Sequence, residues 1–322
     1  QGLVGGEPVA MLGFPGHDSA FPLSGKKAAA TFHVGVVSRI TDFFLRPADP
    51  AEAQFLQYTM ANWPGFSGSP IFLANGHVAV HWDLDGTITS IIDVARGREL
   101  LPSGRPIEFE LAPDHPVEYD AWDLEAWTRL AGTPLPAATE VALVERGPLL
   151  ARLRVRRAFG ASTMTVQYTV RAGSARLDLD IDVDWHEHER LLSLMVPLDV
   201  RAAEATCDIQ FGTVRRPMHP SSPWDAAKFE VCAHRFVDVA EPNFGVAVLN
   251  DGRFGHCLFD GGVRVSLLRG ARYPDPEADQ GRHRVTIAIL PHGPGLTEVL
   301  AEAEALNVPV RVAPAAEIGR AS

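Results

Sequence analysis

The chain has 322 residues, with 29 Lys and Arg against 40 Asp and Glu, a formal net charge of -11. That balance argues against a nucleic-acid partner, which needs a basic face to displace counterions. No apolar run approaches the roughly 20 residues that span a bilayer, so no membrane segment is expected. With 46% hydrophobic and 21% charged residues, the composition is that of a globular chain long enough for two domains and a large core. The opening QGLVGGEPVA has no Met and no leader pattern, and reads as a fragment or a processed product. Cys207, Cys232 and Cys257 are an odd set, read as three buried free thiols in a reducing, cytoplasmic setting.

The first eighty residues are rich in Gly and Pro. Short strands are predicted in GEPVAMLGFPG (6–16) and HVGVVSRI (33–40). The polar stretch LRPADPAEAQ (45–54) separates them from PGFSGSPIF (64–72). These segments resemble the second barrel of a trypsin-like serine peptidase. The resemblance implies a partial β-barrel over residues 1–82, with Ser67 of GFSGSP as nucleophile. Backbone N–H groups of Gly65 and Ser67 would form the oxyanion hole. In that family the triad His and Asp precede the serine on the first barrel, and the sequence begins after that stretch. His17 and His33 fall on or near second-barrel strands and do not substitute. A serine without its base is a weak nucleophile, so this segment is expected to be inactive.

Beyond residue 83 almost everything reads as strand. LARLRVRRAF (150–159), TMTVQYTV (163–170) and LDLDIDVDW (177–185) alternate apolar and polar residues, with RAGS (171–174) as a hairpin link. The period predicts an antiparallel meander with one apolar face. Arg152, Arg154 and Arg156 should then share a polar face with Asp178, Asp180, Asp182 and Asp184, across Thr163, Thr165, Gln167 and Thr169. Strand spacing sets those aspartates too far apart for one calcium cage. Two helices are predicted. One is LEAWTRL (124–130). The other is GLTEVLAEAEALNVP (295–309), capped by Thr297, with an apolar stripe of Leu296, Val299, Leu300, Ala303 and Leu306.

Seven blocks follow one another in order over about 230 residues. They are NGHVAVHWDLDGTITSIIDVARGRELL (75–101), VEYDAWDLE (117–125), DVDWHEHERLLSLMVPLDV (182–200), IQFGTVRRPMH (209–219), WDAAKFEVCAHRFVDV (224–239), NFGVAVLNDGRFG (243–255) and VSLLRGARYPDPEADQGRHRVTIAILPH (265–292). Together they resemble the α-mannosidases of glycoside hydrolase family 38. The resemblance implies an all-β fold, a large galactose-mutarotase-like β-sandwich over residues 83–312 with a tail at 313–322. In the family this sandwich packs on an α/β catalytic domain and a helical bundle. Retaining hydrolysis there uses an aspartate nucleophile and a zinc ion held by that domain. No nucleophile or zinc ligand maps onto this sequence. No cofactor is therefore expected within the chain, and zinc is expected in the intact α-mannosidase. The implied partners are a mannose-containing glycan and the catalytic domain.

The sugar-facing wall is expected at Arg269 and Asp279 in LLRGARYPDPEADQG, since a guanidinium fork and a carboxylate suit sugar hydroxyls. The competing reading is a structural Arg–Asp pair closing a Pro-rich loop. In DAWD (120–123), Asp120 and Trp122 offer an aromatic ring beside an acid, a pattern for sugar stacking; a structural corner is the favoured alternative. His186 and His188 of WHEHE stand two apart on a predicted strand, but no third metal ligand is identifiable. HVAVHW (77–82) fits both families, as if the chain crossed from one to the other at that strand. The function expected is carbohydrate processing, as the sandwich part of an α-mannosidase. The alternatives are a serine peptidase fragment built on Ser67 and a non-catalytic carbohydrate-binding module.

Overall fold

The structure is a computed structural model that describes residues 71–147 and 149–310. Before them it describes the backbone of three strands, Pro8–Gly13, Thr31–Thr41 and Phe55–Thr59, which pair as an antiparallel sheet in that order. Gly65, Ser67 and His17, the side chain of His33 and the tail at 313–322 lie outside the described residues.

The rest is a sandwich of two antiparallel sheets around one core. The nine-stranded sheet runs Glu140–Arg146, Leu150–Phe159, Ser162–Arg171, Leu177–Trp185, Gly281–His292, Phe244–Asn250, Phe236–Glu241, Glu204–Ile209, Gly212–Pro217. The six-stranded sheet runs Val231–Cys232, Gly255–Phe259, Gly262–Arg269, Arg190–Pro197, Glu108–Pro113, Thr133–Pro134. Leu194, Val263 and Val265 from the second sheet share a buried cluster with Leu179, Ile181 and Val246 from the first.

The predicted meander forms in the predicted register. Arg152, Arg154 and Arg156 pair with Thr169, Gln167 and Thr165, which pair in turn with Asp178, Asp180 and Asp182. Partners directly opposite point the same way, so the arginines and aspartates share the outer face. The inner face carries Leu153, Val155, Val166, Tyr168, Leu179, Ile181 and Val183, none more than 2% exposed.

A smaller sheet of Ile71–Ala74, Val78–Trp82, Ile88–Asp93 and Arg98–Glu99 closes one side. It belongs to the same core, because Leu73, Val78, Val80 and Trp82 are buried in the main cluster. Trp82 meets Tyr168 edge-on at 5.4 Å. The buried Asn75 donates to the carbonyls of Arg171 and Ser174 at 2.5 and 2.7 Å. Arg98 forks onto Glu241 with two bonds of 2.9 Å.

Four expectations need correction. LEAWTRL gives only the single 3-10 turn Thr128–Leu130. The later helix forms as Thr297–Asn307, but Leu296 occupies its cap position and Thr297 caps nothing. Val299 and Ala303 are buried against the outer side of the nine-stranded sheet, whereas Leu300 is 42% exposed. The strand carrying LDLDIDVDW ends at Trp185, so His186 and His188 are exposed residues of a connection. Cys232 is exposed, while Cys207 and Cys257 are buried.

Candidate functional site

Arg269 is the last residue of the Gly262–Arg269 strand, and its guanidinium ties three distant segments together. Nε and Nη2 fork onto Asp114 at 2.6 and 3.0 Å. Nη2 also donates to the carbonyls of Asp120 and Asp123 at 3.1 and 2.6 Å. Asp114 directly follows the Glu108–Pro113 strand and is 1% exposed, so this is a buried, charge-assisted pair. Arg269 is thus clamped by Asp114, and not by Asp279 as the loop-closing alternative required.

The DAWD corner is tied down a second time. Asp120 Oδ2 accepts from the backbone N–H groups of Arg272 and Tyr273 at 2.6 and 3.0 Å. Asp123 Oδ1 accepts from the Leu124 N–H at 2.9 Å. Both carboxylates are therefore engaged by backbone. Tyr119 holds a left-handed φ of 55°, and its carbonyl accepts from the N–H groups of Trp122 and Asp123 at 2.7 and 2.8 Å. The tight turn leaves Tyr119 and Trp122 exposed at 67% and 68%, with the exposed Tyr273 on the adjoining loop.

Beside this corner opens a pocket of about 480 Å³, lined by Ala121, Arg253, Ser266, Arg269, Asp279 and His283 among others. It sits where the chain leaves the six-stranded sheet after Arg269 and crosses to the nine-stranded sheet at Gly281. The crossing loop is pinned at both ends. The Glu189 N–H donates to the Gly270 carbonyl at 2.7 Å, and Gln280 Nε2 donates to the Glu187 carbonyl at 2.9 Å. Gly270 is required there, since a Cβ would lie 2.2 Å from the Glu187 oxygen. Asp279 has a φ of 62°, and its backbone carbonyl meets His283 Nε2 at 2.7 Å.

Arg269 and Asp279 therefore line one pocket, with Asp120 and Trp122 on the loop that Arg269 anchors. Sequence reasoning missed Arg253, Ser266 and His283 as lining residues. Their signal was position alone: each lies inside a quoted block, in NDGRFG, VSLLRG and QGRHR. The described residues offer no zinc site. Among the described residues no three His, Cys, Asp or Glu side chains come together as ligands, and His186 Nε2 lies 3.0 Å from Asp184 instead.

The fold is that of the sandwich in known glycosidase structures. It superposes on an α-mannosidase from Enterococcus faecalis V583 with a TM-score of 0.60 at 16% identity, covering 94% of this chain and 38% of that one. A family 38 glycosyl hydrolase from the same species gives a TM-score of 0.61 at 17% identity, over 78% of this chain and 34% of that one. Residues 73–277 match the Glycosyl hydrolases family 38 C-terminal domain, and the chain belongs to that family. Among curated relatives, alpha-mannosidase 2C1 of Homo sapiens is 36% identical over 256 residues, 76% of this chain and 24% of its own length. The alpha-mannosidase of Saccharomyces cerevisiae is 31% identical over 237 residues, 69% of this chain and 22% of its own. The chain thus spans about a quarter of the length of the curated relatives it matches. Residues 1–79 match a trypsin-like peptidase domain, and the two matches overlap over residues 73–79.

Proposed function

We propose that this chain forms the sugar-facing sandwich of an α-mannosidase, with the rim pocket closing over a mannose-containing glycan presented by the catalytic α/β domain. The observation that carries the reading is the Arg269 clamp, which holds the Asp120–Asp123 turn so that Ala121 lines a pocket of about 480 Å³ and the neighbouring Trp122 stands exposed. The Trp122 ring stacks on the apolar face of a sugar, and the Asp279 carboxylate takes its hydroxyls. Arg269 and Asp120 are positioning residues that hold the corner. Family membership and the names of the curated relatives support the same reading. Zinc and the nucleophile belong, in this reading, to the catalytic domain. A cytoplasmic setting accords with three cysteines outside any disulfide.

The test is to join the chain to a family 38 catalytic domain and measure α-mannoside hydrolysis. Trp122→Ala and Asp279→Asn should each lower kcat/KM by about tenfold, the size of one buried polar or stacking contact. Wild-type rates in both variants would refute the sugar-facing role. A free-standing carbohydrate-binding module would instead bind mannoside without raising hydrolysis when joined. The peptidase alternative rests on Ser67, and labelling of the chain by a serine-directed fluorophosphonate would revive it.

A further inference from the structure

His283 breaks the pattern of the strand that carries it. Along Gly281–His292, Val285, Ile287 and Ile289 face the core, none more than 6% exposed. The strand's period of two places His283 on that same inward face, opposite Val183, which is itself 1% exposed. Its neighbours Arg282 and Arg284 turn the other way, onto Asp182 of the outer face. A histidine thus stands where the alternation calls for an apolar side chain. It stands at the end of the stripe, where the ring lines the rim pocket. Departures of this kind from a local rule concentrate at functional positions.

One bond fixes what the ring offers. Nε2 lies 2.7 Å from the Asp279 carbonyl, and a carbonyl oxygen only accepts, so Nε2 carries a hydrogen. In an imidazole with its one hydrogen on Nε2, Nδ1 holds a lone pair and accepts. No protein group bonds Nδ1 among the described residues, and the ring is only partly buried. Asp279 stands in the left-handed region with a φ of 62°, and its own side chain lines the pocket as well. A single hydrogen bond therefore couples two acceptors of one cavity, the Asp279 carboxylate and His283 Nδ1. Acceptors call for a ligand with protons to give. A fully ionised phosphate has none, and Asp279 would repel it. The guanidinium groups of Arg253 and Arg269, which line the same pocket, disfavour a cation. A neutral polyol meets both conditions, and about 480 Å³ is within the range of small-ligand pockets, roughly 300–1,000 Å³.

We infer that His283 is a specificity-determining residue of this pocket: Nδ1 accepts a hydrogen bond from one sugar hydroxyl, and the Nε2 hydrogen bond holds Asp279 in place to accept from another. The inference rests on the pocket being sugar-facing.

The test follows the imidazole nitrogens of the 322-residue chain, isotope-labelled at histidine, in long-range proton–nitrogen spectra near neutral pH as methyl α-mannoside is added. The His283 ring is the signal set missing from His283→Gln. Expected is a ring with hydrogen on Nε2 alone, whose Nδ1 resonance moves upfield with mannoside while Nε2 holds its position. His283→Gln keeps an amide N–H able to reach the Asp279 carbonyl, but has no acceptor in the place of Nδ1. It should raise Kd by about fivefold, the loss of one hydrogen bond, whereas a purely structural His283 leaves Kd as in wild type. If mannoside binds while Nδ1 stays put and His283→Gln binds as tightly as wild type, the inference is overturned and the sugar-facing reading stands on Trp122 and Asp279. Hydrogen on Nδ1 in the free protein overturns it as well. If the folded wild type binds no mannoside, the sugar-facing reading fails and this inference with it. Should His283→Gln not fold, His283→Asn supplies the assignment and the wild-type spectra decide.

Discussion

The outer face of the nine-stranded sheet and the rim pocket use similar residues to opposite ends. On the sheet face, Glu140 takes Arg154 and Arg156 at 2.5 and 2.9 Å, and Asp182 takes Arg282 and Arg284 at 2.6 and 3.0 Å. Arg152 meets Glu145 at 2.9 Å, and Asp178 is paired with both Arg171 and Arg176. Like charges repeat down each strand, and most of these pairs reach to a neighbouring strand, while Asp180 accepts from Thr286 instead. The face answers its own charges. At the rim, Arg269 and Asp114 are also matched, but that pair is buried and anchors a turn whose Tyr119 and Trp122 stand exposed next to a cavity-lining Ala121. A charged surface that is complete in itself is scaffold.

The comparison breaks most decisively at Arg269. Arg269→Ala strands Asp114 as a buried, uncompensated carboxylate, and should destabilise the fold by about 3–5 kcal/mol in denaturant titrations. A loss under 1 kcal/mol would make the rim pair no different from the pairs on the sheet face.

A buried pair within the nine-stranded sheet sharpens the contrast. His292 is 1% exposed, with Nε2 2.8 Å from Asp238 Oδ1 and Nδ1 2.7 Å from the Gly293 carbonyl. Both nitrogens face acceptors, so both carry hydrogens and the ring is cationic. Burial alone would lower its pKa, but the bond and charge of Asp238, aided by the Gly293 carbonyl and Glu298, raise it above the ordinary 6.5. A folded pKa raised above 6.5 means stability that is full below pH 6.5 and lost as pH rises through the higher, folded pKa. His292→Gln should cost about 2 kcal/mol at pH 6, and the gap in thermal midpoint should narrow on going to alkaline pH. A gap independent of pH would show the ring to be neutral.

Arg154→Ala, on the half-exposed sheet face, should cost less than about 1 kcal/mol. Trp122→Ala should be smallest of all for stability, within about 0.5 kcal/mol, because the ring is 68% exposed. It should show itself in mannoside binding alone. A large loss of stability in either variant would erase the division between scaffold and site.

The meander was legible because one of its faces is buried and the other wet, which imposes a period of two on residues 150–185. That signal vanishes in Phe244–Asn250, where every residue is buried, since the helix and neighbouring packing cover both faces. In LEAWTRL the backbone bonds close three residues apart, Thr128 N–H to Glu125 at 3.0 Å and Leu130 N–H to Trp127 at 2.9 Å, so the segment forms a 3-10 turn in place of the expected helix. The strand expected through WHEHE stops because Glu187 turns aside, its Oε1 accepting from the Ala161 N–H and the Ser162 hydroxyl at 2.8 and 2.9 Å. In the site, Arg269 and Asp279 were readable as residue types suited to sugars. The Asp114 partner was not, being 155 residues away with no local pattern to mark it.

The pairing of Leu177–Trp185 with Gly281–His292 has a consequence for how the chain is made. The two strands meet along their whole length across about a hundred residues of sequence, as the Asp182–Arg282 contact does. During synthesis the meander emerges first and must wait, with one edge unpaired, for its neighbour to leave the ribosome. Until then Leu179, Ile181 and Val183 stand beside an open edge of the kind that recruits other chains. A chain stopped at residue 280 never closes that edge, and it should be found in aggregates rather than in solution.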